Sequence, residues 1–119
     1  MRVMVIVKAT AQSEAGEMPG AELIAAMGAF NQKLIAAGVM LDGGGLKPSS
    51  RGARVALAGE TRAVAPGPFG TLGELASGYW LWKVKDLEEA IGWARQCPTS
   101  PAGPLQLEIR PLFEPEDFG

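Results

Sequence analysis

The side chains best suited to chemistry in this sequence are two carboxylates and two cations. Glu74 and Asp42 fall in predicted loops, from which either side chain could reach a pocket and act as a general base. Lys8 and Arg110 are the candidates for holding an anionic substrate. The chain has no histidine, which excludes catalytic triads and every metal site that needs imidazole. A reaction in which a carboxylate acts as general base on an anionic substrate therefore stays possible, whereas a reaction that needs a histidine side chain is excluded.

Cys97 is the only cysteine, so the sequence offers neither a disulfide framework nor a multi-cysteine zinc site. It stands at the end of a predicted helix, where the backbone carbonyls disfavour a thiolate. We therefore expect a small packed side chain rather than a nucleophile. We also predict no metal site and no cofactor.

Two glycine-rich segments resemble ligand-binding loops only superficially. Residues 43–45 (Gly-Gly-Gly) lack the Gly-Lys-Ser/Thr ending of a P-loop. Residues 67–70 (Gly-Pro-Phe-Gly) offer proline and phenylalanine where a nucleic-acid clamp needs hydrogen-bond donors. We predict that both segments turn or bulge. The aromatic cluster of Tyr79, Trp80 and Trp82 is more typical of a core or a dimer interface than of a ligand platform.

Composition bounds the remaining function classes. Eleven basic residues against 13 acidic ones give a net charge of −2, and hydrophobic residues make up 47% of 119. A nucleic-acid-binding domain usually carries a clustered positive field, which this balance does not provide. The apolar runs are too short for a membrane span or a secretory signal. We predict a single domain over residues 1–119, cytoplasmic, with no nucleic-acid or membrane partner.

Two segments alternate as strands and are apolar on both faces. Residues 2–8 place three valines on one face and methionine and isoleucine on the other. Residues 78–84 place two tryptophans on one face and tyrosine and leucine on the other. Such strands are central and covered on both sides. Residues 105–110 alternate apolar with polar side chains, which is typical of a half-buried strand at a sheet edge or an oligomer seam.

Two amphipathic helices follow from the 3.6-residue period. The apolar stripe from Leu23 to Leu34 predicts the first, with Gly38 as its left-handed cap. Asp86, with Glu89 three residues on, predicts the N-cap of the second. The polar stretch 10–20 between the first strand and the first helix is predicted as a loop.

The middle of the chain is predicted as short strands and turns. Residues 39–41 form a short strand that the following glycines end. Residues 53–57 and 62–64 alternate around a turn and predict a hairpin. Prolines make 66–70 a rigid turn, with Phe69 as its apolar anchor.

This order predicts an α+β chain with the ferredoxin-like βαββαβ pattern and an inserted hairpin. Right-handed crossovers place both helices on one face of an antiparallel sheet. The other apolar face then needs cover, for which a second copy is the simplest source. We therefore predict a homodimer.

The collinear motifs of the second half resemble the YCII-related family, in its branch of DGPF-domain proteins. They are Gly67-Pro68-Phe69, Gly78-Tyr79, the Asp86–Ala94 helix, Pro98 and Glu108-Ile109-Arg110-Pro111. The resemblance implies a dimeric α+β barrel, and most members are small bacterial proteins of unassigned role. It also implies that association with an extracytoplasmic-function sigma factor is open, as in some DGPF proteins. Chloromuconolactone dehalogenase and muconolactone isomerase belong to the wider superfamily.

The sequence departs from that family where its polar site would lie. The aspartate of Asp-Gly-Pro-Phe is replaced by Pro66, and the following Glu-x-Lys-Glu keeps only Glu74. Members proposed as enzymes rely on a histidine and an aspartate. These losses indicate a degraded acid–base site.

Two functional hypotheses follow. The first is a cytoplasmic dimer that binds a small molecule or a protein partner without catalysis. The alternative is an isomerase, lyase or dehalogenase acting on a small anionic substrate. For either, the predicted pocket lies between the non-helical sheet face and the loops 42–47 and 69–74. Its predicted lining residues, which favour an anionic ligand, are Lys8, Phe69, Glu74, Tyr79 or Trp80, and Arg110.

Overall fold

The computed structural model describes residues 1–99 and 103–119. Its helices and strands, in chain order, are β1 (Arg2–Lys8), α1 (Ala11–Glu14), α2 (Ala21–Ala36), β2 (Met40–Gly45), β3 (Ala53–Ala58), β4 (Thr61–Pro66), β5 (Ala76–Lys83), α3 (Leu87–Ala94) and β6 (Leu107–Pro111). Short 3-10 turns lie at 49–51, 72–74 and 115–118.

The central sheet has four antiparallel strands in the order β2–β5–β1–β6. Val5 at the centre of β1 lies opposite Trp80 on β5 and opposite Ile109 on β6. With the two long helices between the strands, this is the predicted ferredoxin-like α+β fold, and β3 and β4 form the inserted hairpin. The prediction that β6 is an edge strand is confirmed.

One face of the sheet carries the core. Val3, Val5 and Trp82 are fully buried there, together with Leu34 from α2 and Ala90 from α3. Ring contacts between Phe30 and the two tryptophans close the centre of this cluster. Both long helices therefore pack on the same side, because Val3 and Val5 of β1 and the two tryptophans of β5 alternate onto that side.

The opposite face lacks a helical layer in the described part of the chain. Met4, Ile6 and Leu81 lie on this face and are half-buried. The molecule measures 46 × 45 × 18 Å, and the smallest extent fits one sheet with one layer of helices.

The stretch 10–20, predicted as a loop, contains the helical turn α1. Thr10 caps it by accepting a hydrogen bond from the Ser13 backbone N–H, and the Ser13 hydroxyl oxygen accepts one from the Thr10 N–H. This reciprocal cap forms one helical turn without any apolar periodicity. The loop prediction failed here because it relied on periodicity alone.

The prediction that the strand ends at residue 41 and that residues 43–45 turn or bulge is wrong. They form the second half of β2 and pair with β5 along its outer edge, after an irregularity between Met40 and Asp42. Close packing explains the glycines: a Cβ at Gly43 would lie 2.9 Å from Cδ1 of Trp80. Glycine weakens a strand by itself, but here it lets the edge strand approach the aromatic strand.

The predicted hairpin is confirmed and projects from the body. Every residue of β3 and β4 is exposed. The Cα radius of gyration is 16.2 Å, whereas a compact chain of this length has about 13–14 Å.

Candidate functional site

Two cavities flank one wall of the molecule, at the end of the sheet where β1 stops. The wall is formed by Ala9 and Thr10 on one side and by Pro104 and Leu105 on the other. The smaller cavity, of about 470 Å³, is lined by Lys8, Ala9, Thr10, Leu72, Gly73, Pro104, Leu105 and Gln106. This volume, and the 630 Å³ of the larger cavity described below, fall in the range that small-molecule sites occupy.

Lys8 gives the smaller cavity its charge. Its ammonium lies 3.9 Å from Oε1 of Glu108, and its side chain is only 20% exposed. Oε2 of the same carboxylate lies 3.3 Å from the Arg110 guanidinium. Two cations therefore share one carboxylate, and a positive charge is left over for an anion.

Strand register brings these three groups together. Glu108 lies opposite Ile6, and Arg110 lies opposite Met4, so both β6 side chains emerge on the face without helices. A register shift between Val7 and Lys8 ends the regular pairing of β1 beside them. The β1–β6 ladder thus brings Lys8 and Arg110, two of the predicted lining residues, to the same carboxylate.

The larger cavity, of about 630 Å³, lies on the helical side of the same wall. Val7, Leu23 and Met27 supply apolar surface from β1 and α2. Among the described lining residues, Glu17 is the only one with an ionisable side chain. This cavity therefore has no cation to attract an anionic group.

A carboxylate of α1 fixes the α1 segment relative to the base of the hairpin. Glu14 accepts hydrogen bonds from the backbone N–H of Ser49, at 2.9 Å, and from its hydroxyl. These bonds hold the pKa of Glu14 below its usual value. The Ser49 hydroxyl oxygen in turn accepts a bond from the N–H of Phe69 at 3.4 Å, so α1, the turn 49–51 and the Gly-Pro-Phe segment form one connected unit.

The two carboxylates predicted as bases both accept hydrogen bonds from backbone N–H groups. Oε2 of Glu74 accepts from the N–H of Thr71 at 3.0 Å and caps the turn 72–74. Oδ1 of Asp42 accepts from the N–H of Gly43 at 2.8 Å. Leu72 and the glycine after it, rather than Glu74, line the smaller cavity.

The predicted aromatic members separate onto opposite faces of β5. Tyr79 lies opposite Ile6 on the face without helices, with its hydroxyl 3.4 Å from Oδ2 of Asp42. Trp80 is buried on the helical face, and its indole N–H donates to Oδ1 of Asn31 at 2.9 Å. Tyr79 is therefore the aromatic side chain that shares a face with Arg110, while Trp80 belongs to the core.

Phe69 lies at the base of the hairpin. The guanidinium carbon of Arg54 is 4.2 Å from its ring centroid, a distance at which a cation stabilises the electron-rich ring face. Phe69 is half-buried. It is not among the residues that line either cavity.

Cys97 packs against the core and is half-buried. Burial raises the pKa of its thiol to about 11, since a thiolate is poorly solvated there. The expectation of an unreactive packed cysteine agrees with this environment.

Sequence reasoning missed most of the cavity wall. Thr10, Leu72 and the segment 104–106 carry no motif for ligand binding, and they come together only through tertiary structure. The spacing of Thr10 and Ser13, a reciprocal cap, was the one local signal that this stretch is ordered.

Comparison with known proteins gives one family match. A model of the YCII-related domain matches residues 1–114. No curated protein matches the chain significantly. Within the part of the chain that the structure describes, none of the helices has the length and apolar character needed to cross a bilayer.

Proposed function

Since this chain belongs to the YCII-related family, we propose that it is a cytoplasmic homodimer that binds a small anionic molecule without converting it. The observation that carries this proposal is the cavity at Lys8. A lysine whose side chain is only 20% exposed, at the wall of a 470 Å³ cavity, is the arrangement expected for an anion-binding site.

The walls favour a small molecule with an apolar part. Leu72, Pro104 and Leu105 supply apolar surface, and Thr10 and Gln106 supply hydrogen-bonding groups beside the ammonium. A carboxylate or phosphate at Lys8 would gain a charge-assisted hydrogen bond, which is stronger than a neutral one. Arg110 lies on the other side of the Glu108 carboxylate, on the same face of the sheet, and would add to the positive field.

Binding without conversion is supported by the hydrogen bonds that Glu74 and Asp42 already make. Glu74, in the turn 72–74, and Asp42, in β2, each accept a hydrogen bond from a nearby backbone N–H. Taking up a proton would weaken these bonds, because a neutral carboxyl accepts hydrogen bonds less strongly than a carboxylate. The family's Asp-Gly-Pro-Phe aspartate is Pro66 in this chain, which removes a further acid.

The dimer is supported by the sheet face opposite the helices. Met4, Ile6 and Leu81 form an apolar strip there, flanked by the charged pair Glu108 and Arg110. An apolar centre with a polar rim is the usual anatomy of a protein interface. A second copy across this face would also enclose the side of the sheet on which the Lys8 ammonium lies.

A thermal-shift screen tests the ligand class. Matched pairs of small molecules that differ only in carboxylate against amine, or phosphate against hydroxyl, are added to the protein. An anion at about ten times its Kd adds about 1.4 kcal/mol and raises Tm by roughly 5 °C. Stabilisation by the amines alone would contradict the proposal. Chemical change of a stabilising anion, followed by NMR, would support the enzyme alternative.

A further inference from the structure

Of the six most exposed large apolar side chains among the described residues, five lie in two places. On the hairpin, Val55, Leu57 and Val64 are 54%, 69% and 67% exposed. In the segment after β6, Phe113 and Phe118 are 76% and 77% exposed, with their rings 5.4 Å apart. Among the large apolar side chains of the described residues, only Met18 is as exposed as these two phenylalanines.

Register gathers the hairpin side chains on one face. Val55 lies opposite Val64 and Leu57 lies opposite Arg62, and directly opposed residues share a face. The other face carries mostly alanine. A two-stranded hairpin is marginally stable in water unless its apolar face is covered, and here no element of the described chain buries it.

The two patches carry opposite charge. The segment 51–66 has three arginines, at 51, 54 and 62, against the single acid Glu60. The segment 113–119 has three acids and no base. Its Glu114 is paired with Arg2, Nε to Oε1 at 3.0 Å, whereas no ion pair within residues 1–99 and 103–119 engages Glu116 or Asp117.

The patches lie at opposite ends of the sheet. The hairpin joins the body at the end where Lys8 pairs with Ala76, and the C-terminal segment leaves at the end where Pro111 pairs with Val3. The seven residues of β1 separate these ends by about 23 Å. Each hairpin strand is about 20 Å long, and every one of its residues is exposed, so the segment of its own chain does not cover it.

We propose that the hairpin of one copy docks on the C-terminal segment of a second copy, Val55, Leu57 and Val64 against Phe113 and Phe118. This clasp rests on the proposed homodimer and adds a second contact to it. A two-fold axis that reverses the strand direction brings each hairpin to the partner's C-terminal segment, so the contact occurs twice. Arg62, which shares this hairpin face with Leu57, then faces the acids Glu116 and Asp117, which steers the copies into this register.

Disulfide trapping between two differently labelled chains tests the clasp. One chain carries Leu57→Cys and the other Phe118→Cys, both in a Cys97→Ala background, and the mixture is oxidised mildly. We expect a covalent heterodimer on a non-reducing gel. The matched control replaces Leu57→Cys with Ile24→Cys, an exposed apolar position on α2, and should trap little. Equal trapping in both mixtures, or none in either, would overturn the clasp.

Light scattering on the same samples separates this result from the homodimer itself. A dimer that is not trapped through position 57 keeps the proposed homodimer and rejects the clasp. A monomer rejects both. As a charge test, Arg62→Glu should weaken dimerisation by about fivefold at low salt, and mixing it with a Glu116→Lys chain should restore the affinity. No weakening by Arg62→Glu would count against the arginine–acid contact.

Discussion

Glu14 shows how one side chain can order a segment without any motif for it. Its carboxylate binds Ser49 twice, and Ser49 contacts the Gly-Pro-Phe segment. A protonated carboxyl would lose about half of the strength of these bonds. The order of α1, and with it the Thr10 wall of both cavities, is therefore linked to the charge of Glu14.

The pH dependence of stability follows from the direction of this shift. Because folding lowers the pKa of Glu14 below its usual value, its contribution is full above the unfolded pKa and is lost as the pH falls through the folded pKa. Urea unfolding of wild type and Glu14→Gln between pH 3 and 7 measures it. We expect the variant to be less stable at pH 7 and to lose less stability on acidification, whereas Glu60→Gln should follow wild type.

Cys97 should react slowly with thiol reagents in the folded protein. With a thiol pKa of about 11, very little thiolate is present at pH 8, and the thiolate is the reacting form. The rate of labelling by a disulfide reagent, with and without denaturant, checks this. A native rate equal to the unfolded rate would show that the thiol is not shielded.

At the scale of elements, the hairpin base depends on a glycine that touches backbone. The N–H of Gly67 donates to the Gly52 carbonyl, and a Cβ at Gly67 would lie 1.7 Å from the Ser49 carbonyl oxygen. No rotamer change can relieve an overlap with backbone. The glycine of the Gly-Pro-Phe motif is thus required by the contact between the hairpin base and the turn 49–51.

Gly67→Ala should therefore lower the free energy of unfolding by on the order of 3 kcal/mol. Gly45→Ala is the matched control, because nothing lies within 4 Å of a Cβ there, and it should change stability by less than about 1 kcal/mol. Urea titration of both variants measures the difference. Equal stability of the two would mean that the hairpin base is not packed as described.

Elements with a periodic apolar face of their own were predictable from sequence. Elements that exist only because a neighbouring strand pairs with them were not. The stripe of α2 and the alternation in β1 and β5 are visible locally, since each buries a continuous apolar face. The glycines of β2 are in a strand only because β5 lies beside them. For the site, Lys8 and Arg110 could be chosen as cations, but only the β1–β6 register shows that they share Glu108.

At the scale of the whole molecule, one uncovered apolar face makes the proposed assembly testable. Leu81→Glu places a charge in that face, opposite Met4, where a dimer would have to bury it at a large cost. We expect sedimentation equilibrium to give twice the chain mass for wild type and the monomer mass, or loss of folding, for Leu81→Glu. Ile24→Glu, on the exposed side of α2, should stay dimeric. A wild-type monomer would refute the assembly.

Calorimetric titration of the best anion from the screen into wild type, Lys8→Met and Lys33→Met tests the proposed function most directly. Both substitutions remove one positive charge, but only Lys8 lines the cavity. Losing a hydrogen bond to a charged group costs about 1.5–3 kcal/mol, so we expect Lys8→Met to raise Kd at least about tenfold. Lys33→Met should bind as wild type does, with one anion per chain. Equal affinity of Lys8→Met and wild type would contradict the anion site.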